Sequence, residues 1–270
     1  GLANLPIAPA RLVATEQHQL PLWVFLSNWF QAWGPEVFGL THFWSLAVEE
    51  QFYLVWPFVV LATGRRTLLT LSVSLCAASL LVRAVLAAQG ADYEVLYYLT
   101  ICRIDALVCG GIVAILCGDE ASRAALRRRM SLFVPASAIL FAIGALPTRM
   151  YQTQDPATQT YGYTLLSLAV ALVIARIVLA KGEPSTWLLR PLEWRALRLC
   201  GKYSFAMYVF HYPIDRYLGR QLFEQIAGST AHAVWAQASY GLTLLATSFI
   251  LGIASYRLLE RHFLEAPVRL

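Results

Sequence analysis

His42-Phe43-Trp44-Ser45-Leu46-Ala47-Val48-Glu49-Glu50-Gln51-Phe52-Tyr53-Leu54-Val55-Trp56-Pro57 sets two adjacent carboxylates inside an apolar run that reads as a helix. If Trp44 to Ala62 crosses a bilayer, Glu49 and Glu50 need partners, a proton or a polar cavity, so an intramembrane acid is a functional candidate by default. At 3.6 residues per turn His42, Ser45, Glu49 and Trp56 share one face, with Glu50 turned roughly 100° from Glu49. A polar stripe on one helix face is expected. The competing reading is a helix end whose polar residues sit among lipid headgroups.

The composition agrees with a membrane reading. The chain has 270 residues, 58% hydrophobic and 14% charged, whereas about a quarter of the residues of a soluble domain are charged. Runs long enough to cross roughly 30 Å of hydrocarbon occur at Trp44 to Ala62, Thr67 to Ala88, Leu96 to Leu116, Gly162 to Ala180, Leu199 to Leu218 and Val234 to Tyr256. Ser131 to Pro147 is shorter, and is counted as a span because the basic loops would otherwise fall on alternating sides. The expected fold is all-α: a polytopic transmembrane helix bundle of about seven spans, forming a single domain.

The net charge of +5 is explained by where the basic residues lie, so no nucleic-acid partner is expected. Arg65 and Arg66, then Arg123 and Arg127 to Arg129, then Lys181, Arg190, Arg195 and Arg198, then Arg257, Arg261 and Arg269 mark every second loop. The intervening loops hold only Arg149 and Arg220. The positive-inside rule therefore puts the C terminus in the cytoplasm. Cys76, Cys102, Cys109, Cys117 and Cys200 show no C-x-x-C pair and no metal-ligand spacing with His, so buried packing is expected and no metal site. Gly1 to Gln19 lacks an initiator Met and the pattern of a signal peptide; Leu20 to Phe30 is apolar but too short to span.

Helical rise places several polar groups at one depth. Glu49 and Glu50 fall about 8–9 Å below the outer boundary, Arg103 and Asp105 roughly 10–14 Å, and His211 about 10 Å from its outer helix end. Arg103 and Asp105 point about 200° apart, so each needs a partner on another helix, and structural ion pairing is a serious alternative to catalysis. Ser204, Tyr208, His211 and Asp215 follow i, i+4, i+7 and i+11 and make one polar face; a neutral hydrogen-bonding imidazole is the bland reading of His211. Gly110, Ala114 and Gly118 read as helix packing. Glu260, beside Arg257 and Arg261, reads as an interfacial anchor.

These motifs carry a resemblance. The stretch from His42 to Pro57 is similar to the W-S-L-x-x-E-E-Q-F-Y-L-x-W-P-like signature of the acyltransferase-3 family of integral-membrane acyltransferases. Arg103-Ile104-Asp105-Ala106-Leu107 resembles its R-F-D-like segment, Gly201 to Pro213 its G-x-x-S-Y-x-x-Y-L-x-H-x-P-like stretch, and Tyr256 to Pro267 its terminal Tyr-Glu-Pro segment. The family also has a first helix with a basic residue about ten positions before a His proposed as catalytic. Here the positions eleven before His18, His42, His211, His232 and His262 are Ile7, Gln31, Cys200, Gln221 and Leu251, none of them basic. The resemblance therefore implies an N-terminally truncated fragment, short of about three helices or roughly 100 residues.

What the resemblance implies is transfer of an acyl group, often acetyl, from cytoplasmic acyl-CoA to a hydroxyl of a cell-surface glycan or glycolipid, in a bacterial inner membrane and without a bound cofactor. Such chemistry needs a base for the acceptor hydroxyl and donors for the developing oxyanion. Glu49, His211 and Arg103 are the expected catalytic group: Glu49 to orient or charge the missing His, Arg103 to balance acids or bind an anion. His42, Ser45, Glu50, Asp105, Ser204 and Tyr208 are expected to contact substrate. Glu49 or Glu50, Arg103 and His211 are expected to approach one outward-facing cavity. A proton-coupled transporter or glycolipid flippase would need the same intramembrane charges and is the alternative.

Overall fold

The computed structural model describes residues 19–34, 39–180, 190–230 and 233–264. The expectations about the chain start, Lys181, Pro267 and Arg269 lie outside them. The described residues are all helix and turn: a single turn at Leu20–Trp23, then α1 (Ser27–Trp33), α2 (Phe43–Ala62), α3 (Arg65–Ala88), α4 (Tyr93–Tyr98), α5 (Thr100–Gly118), α6 (Glu120–Arg127), α7 (Phe133–Ala145), α8 (Tyr163–Leu179), α9 (Arg195–Ile214), α10 (Arg220–Ala227) and α11 (Val234–Ser255).

Five of these segments are long and apolar enough to cross a membrane: Phe43–Ala62, Arg65–Ala88, Tyr93–Gly118, Thr158–Leu179 and Val234–Glu260. A sixth results if Glu120–Arg127 and Met130–Ala145, bent by 59°, are taken as one broken span. By length and composition the described residues thus supply five or six of the about seven expected spans, and two of the expected spans differ for a physical reason. α7 has 13 residues, about 20 Å of helix, short of the hydrocarbon thickness. α9 has 20 residues, but Arg195, Arg198 and Lys202 in its first half make it too polar to qualify.

Two compact units divide the chain. Among the described residues, one comprises 20–34 and 44–180, the other 39–43 and 190–264. In the first, α3 packs on α5, and α8 packs on both α5 and α7. Leu99 is extended (φ −64°, ψ 135°) and breaks the helix between α4 and α5. A free carbonyl at such a break must find a donor inside a membrane. Asn28, fully buried, supplies it: its Nδ2 donates to Tyr98 O at 3.1 Å and to Thr100 Oγ1 at 2.9 Å. Gln51 completes the knot, donating to Asn28 Oδ1 at 2.9 Å and to Phe25 O at 2.6 Å, and accepting from Thr100 Oγ1 at 2.5 Å. The Gln of the Glu-Glu-Gln motif thus anchors the short α1 segment.

In the second unit α9 packs on α11. The two approach closely at Gly252, where a Cβ would lie 3.1 Å from Met207 Cγ and 3.3 Å from Tyr203 O. Tyr256, at the start of the terminal motif, takes Lys202 Nζ over its ring at 4.2 Å, and Glu260 Oε1 accepts from Ser255 Oγ at 3.1 Å.

The basic-loop pattern gives a test of orientation. In a Cys-free background, a single Cys at 155 is expected to react with a membrane-impermeant reagent in intact cells, and one at 127 only after lysis. Labelling at 127 and not at 155 would invert the arrangement.

Candidate functional site

In the second unit the residues of interest gather around His42. It does not continue the helical stripe expected from sequence: α2 begins at Phe43, whose N–H donates to Leu40 O at 3.0 Å, so His42 sits in the turn before the helix. Gly39, at φ +74°, makes that turn with the ring of Tyr217 against it, a conformation and a closeness that favour glycine. Tyr208 Oη donates to the His42 carbonyl at 2.5 Å. The His42 ring lies with its centroid 5.1 Å from Tyr208, 5.3 Å from His211 and 5.1 Å from Tyr212.

The two imidazoles differ in role. His211 Nδ1 is 2.7 Å from the Tyr208 carbonyl, which can only accept, so Nδ1 carries a proton and Nε2 is the nitrogen left for other partners. Burial, and then repulsion from His211, hold the His42 pKa down to about 4 from its ordinary 6.5. An unfolded chain therefore takes up a proton at His42 before the folded one does. Stability contributed by this site is complete above pH 6.5 and is lost as pH falls from 6.5 toward 4. His42→Gln is expected to flatten that acid limb of a thermal-unfolding profile in detergent; an unchanged limb would place the acid sensitivity elsewhere.

The rest of the α9 stripe disperses. Ser204 is exposed, and its hydroxyl donates back to Gly201 O at 2.9 Å. Asp215 Oδ1 accepts from Tyr240 Oη at 2.6 Å and lies 3.7 Å from Arg220 Nε. Only Tyr208 and His211 of that stripe meet His42.

In the first unit Arg103 and Asp105 do take partners from other helices, and different ones. Asp105 Oδ2 receives Arg83 Nη2 and Thr164 Oγ1, each at 2.8 Å, with both charged side chains essentially inaccessible. Arg83 also donates from Nε to Thr160 O at 3.0 Å, from Nη1 to Ser79 Oγ at 3.0 Å and to Cys102 O, and from Nη2 to Thr164 Oγ1. All five guanidinium N–H groups are thereby used. Arg103 has an aromatic enclosure in place of a carboxylate: its Cζ is 3.9 Å from the ring centre of Tyr163, 5.5 Å from Tyr97 and 5.6 Å from Trp44. Glu49, Glu50 and Ser45 are half-buried on α2. Among the described residues neither glutamate makes an ion pair or a side-chain hydrogen bond, in contrast to Asp105. Glu49, Glu50 and Arg103 belong to one unit, His211 to the other.

Residues 5–257 match the acyltransferase domain family, nearly the whole chain. The chain belongs to the acyltransferase-3 family. It is 26% identical over 259 residues to the peptidoglycan O-acetyltransferase OatA of Listeria monocytogenes, covering 91% of this chain and 39% of that protein. It is 26% identical over 280 residues to the O-acetyltransferase OatA of Staphylococcus aureus, covering 98% and 43%. YrhL of Bacillus subtilis, named as a candidate peptidoglycan O-acetyltransferase, is 27% identical over 263 residues, covering 91% and 38%. The chain thus spans about two fifths of the length of these relatives. No solved structure matches it.

Within this acyltransferase domain the sequence reading missed Arg83, Thr164, Tyr163 and the Asn28–Gln51–Thr100 knot. A signal existed for Arg83. A lone Arg within an apolar span requires a partner, and Arg83 and Asp105 each lie five residues, about 8 Å, from the same end of their helices.

Proposed function

We propose that this chain provides the membrane domain of an O-acetyltransferase that moves an acetyl group from cytoplasmic acyl-CoA to a hydroxyl of a cell-wall glycan such as peptidoglycan. The observation that carries this reading is the family match over residues 5–257. The acceptor is inferred from what the Listeria and Staphylococcus relatives are named for. The protein resides in a bacterial inner membrane with its C terminus in the cytoplasm, from the distribution of basic loops.

In the transfer, the acceptor oxygen attacks the thioester carbonyl carbon, the C–S bond breaks, and the hydroxyl proton ends on the released thiol. A histidine base takes that proton, with Glu49 of the first unit to orient or charge it, while Tyr208, His211 and His42 of the second unit line the acceptor or acyl path. Arg103 offers N–H donors to anionic or developing negative charge. Ser45 and Glu50 contact substrate from α2.

The test uses the full-length protein in sealed vesicles with labelled acetyl-CoA on the basic-loop side and glycan on the other. Label is expected in an alkali-labile ester on the glycan. Movement of unmodified glycolipid without acyl transfer would favour a transporter.

A further inference from the structure

A cavity of about 240 Å³ lies between α5 and α8, lined by Arg103, Ala106, Gly110, Tyr163, Val170 and Ile174 among others. Its polar members cluster at one end. Arg103 Nη1 and Tyr163 Oη are both buried without a hydrogen-bond partner among the described residues, an arrangement that costs free energy unless a ligand or water supplies an acceptor. They cannot satisfy each other, because the guanidinium stacks on the face of the Tyr163 ring. Nor can Asp105 serve Arg103, since its Oδ2 is held by Arg83 and Thr164. Ser167, also at the cavity, donates to Tyr163 O at 2.8 Å. The free groups are thus a guanidinium N–H, which only donates, and a phenol able to donate: the chemistry that fits an anion rich in acceptor oxygens.

The remainder of the cavity is apolar and runs along the helices. From Arg103 to Gly110 is about 10 Å of helix, and from Tyr163 to Ile174 about 16 Å. It opens sideways, where Ala106, Val170 and Ile174 are exposed on the membrane-spanning surface. A Cβ placed on Gly110 would meet no atom within 4 Å, so the trough has room beside that helix. Polar donors at the end away from the basic loops, with an apolar trough leading toward mid-membrane, match the layout of a lipid in the leaflet opposite those loops.

We propose that this cleft binds a phospholipid of that leaflet, its phosphate on Arg103 and Tyr163 and one acyl chain along Ala106, Gly110, Val170 and Ile174. The charge at the head selects the phosphate, and the trough selects a chain-bearing ligand over free phosphate. Arg103 is shared with the acyl-transfer reading, but lipid binding is measured without acyl transfer and would persist if that reading failed.

The test is anisotropy of phosphatidylglycerol carrying a fluorophore on one chain, titrated into the full chain in detergent micelles. Saturable binding at one lipid per chain is expected. Arg103→Gln should weaken it at least about tenfold, and Tyr163→Phe by a smaller factor. Gly110→Leu, which fills the trough and replaces a helix-interior glycine by a better helix former, should block it while thermal unfolding shows the fold retained. Diacylglycerol, which lacks the phosphate, should compete poorly, and inorganic phosphate should compete poorly because it lacks the chain. Unchanged binding in Gly110→Leu, or equal competition by diacylglycerol, overturns the proposal even if Arg103→Gln fails to fold. Non-saturable partitioning into the micelle would overturn it as well.

Discussion

Arg83→Met is expected to remove most of the folded protein. The substitution strips Asp105 of its cationic partner and leaves the carboxylate, 1% exposed, with Thr164 and the Ala106 N–H as its donors. Removing one member of a buried pair costs about 3–5 kcal/mol, a large part of the 5–15 kcal/mol that holds a typical domain together. The loss extends further, because Thr160 O and Cys102 O give up their donor at once. These two acceptors belong to the helical turn Thr158–Gly162 that leads into α8 and to α5, so α3, α5 and α8 are pinned by one side chain. Arg83→Met combined with Asp105→Leu removes both charges and should regain much of the lost yield. Melting temperature and recovery of monodisperse protein in detergent measure this. A single mutant that melts like wild type would mean the pair is not the pin, and a double mutant worse than the single would mean the carbonyl contacts dominate.

That pin also explains which parts of the structure sequence could reveal. Span lengths were legible because the hydrocarbon layer imposes one length on every crossing, and an apolar composition reports it directly. α9 is less legible, because its apolar second half follows a first half with Arg195, Arg198 and Lys202. The need of Arg103 and Asp105 for separate partners followed from their 200° separation, but the identity of those partners did not. Arg103 is held by Trp44, Tyr97 and Tyr163, whose rings look like ordinary apolar residues in a membrane sequence. From sequence His42 reads as part of the helix stripe, because one residue of shift at a helix start carries no sequence signature. Its pairing with His211 depends on a turn at Gly39 whose φ is visible only in three dimensions.

Glu49→Gln in the full-length protein is expected to lower acyl transfer at least about tenfold while insertion and melting temperature stay near wild type. Two acids at similar depth differ in their partners. Asp105 is engaged by Arg83 and Thr164 and is needed to neutralise a buried cation. Glu49, half-buried on α2 beside Glu50, has no ion-pair or hydrogen-bond partner among the described residues, so removing its charge breaks no described contact. A carboxylate kept at membrane depth without such a partner is costly to the fold. Its retention is best explained by a charge that develops elsewhere during reaction, as on an imidazole that takes the acceptor proton. Glutamine keeps the shape and removes that charge, so the effect should appear in turnover and not in protein yield. Glu50→Gln, on the neighbouring face, is the comparison: a loss confined to Glu49 fits a directed charge, whereas equal losses would fit a general polar environment. Loss of folded protein in step with activity would make Glu49 a structural carboxylate and remove it from the catalytic group.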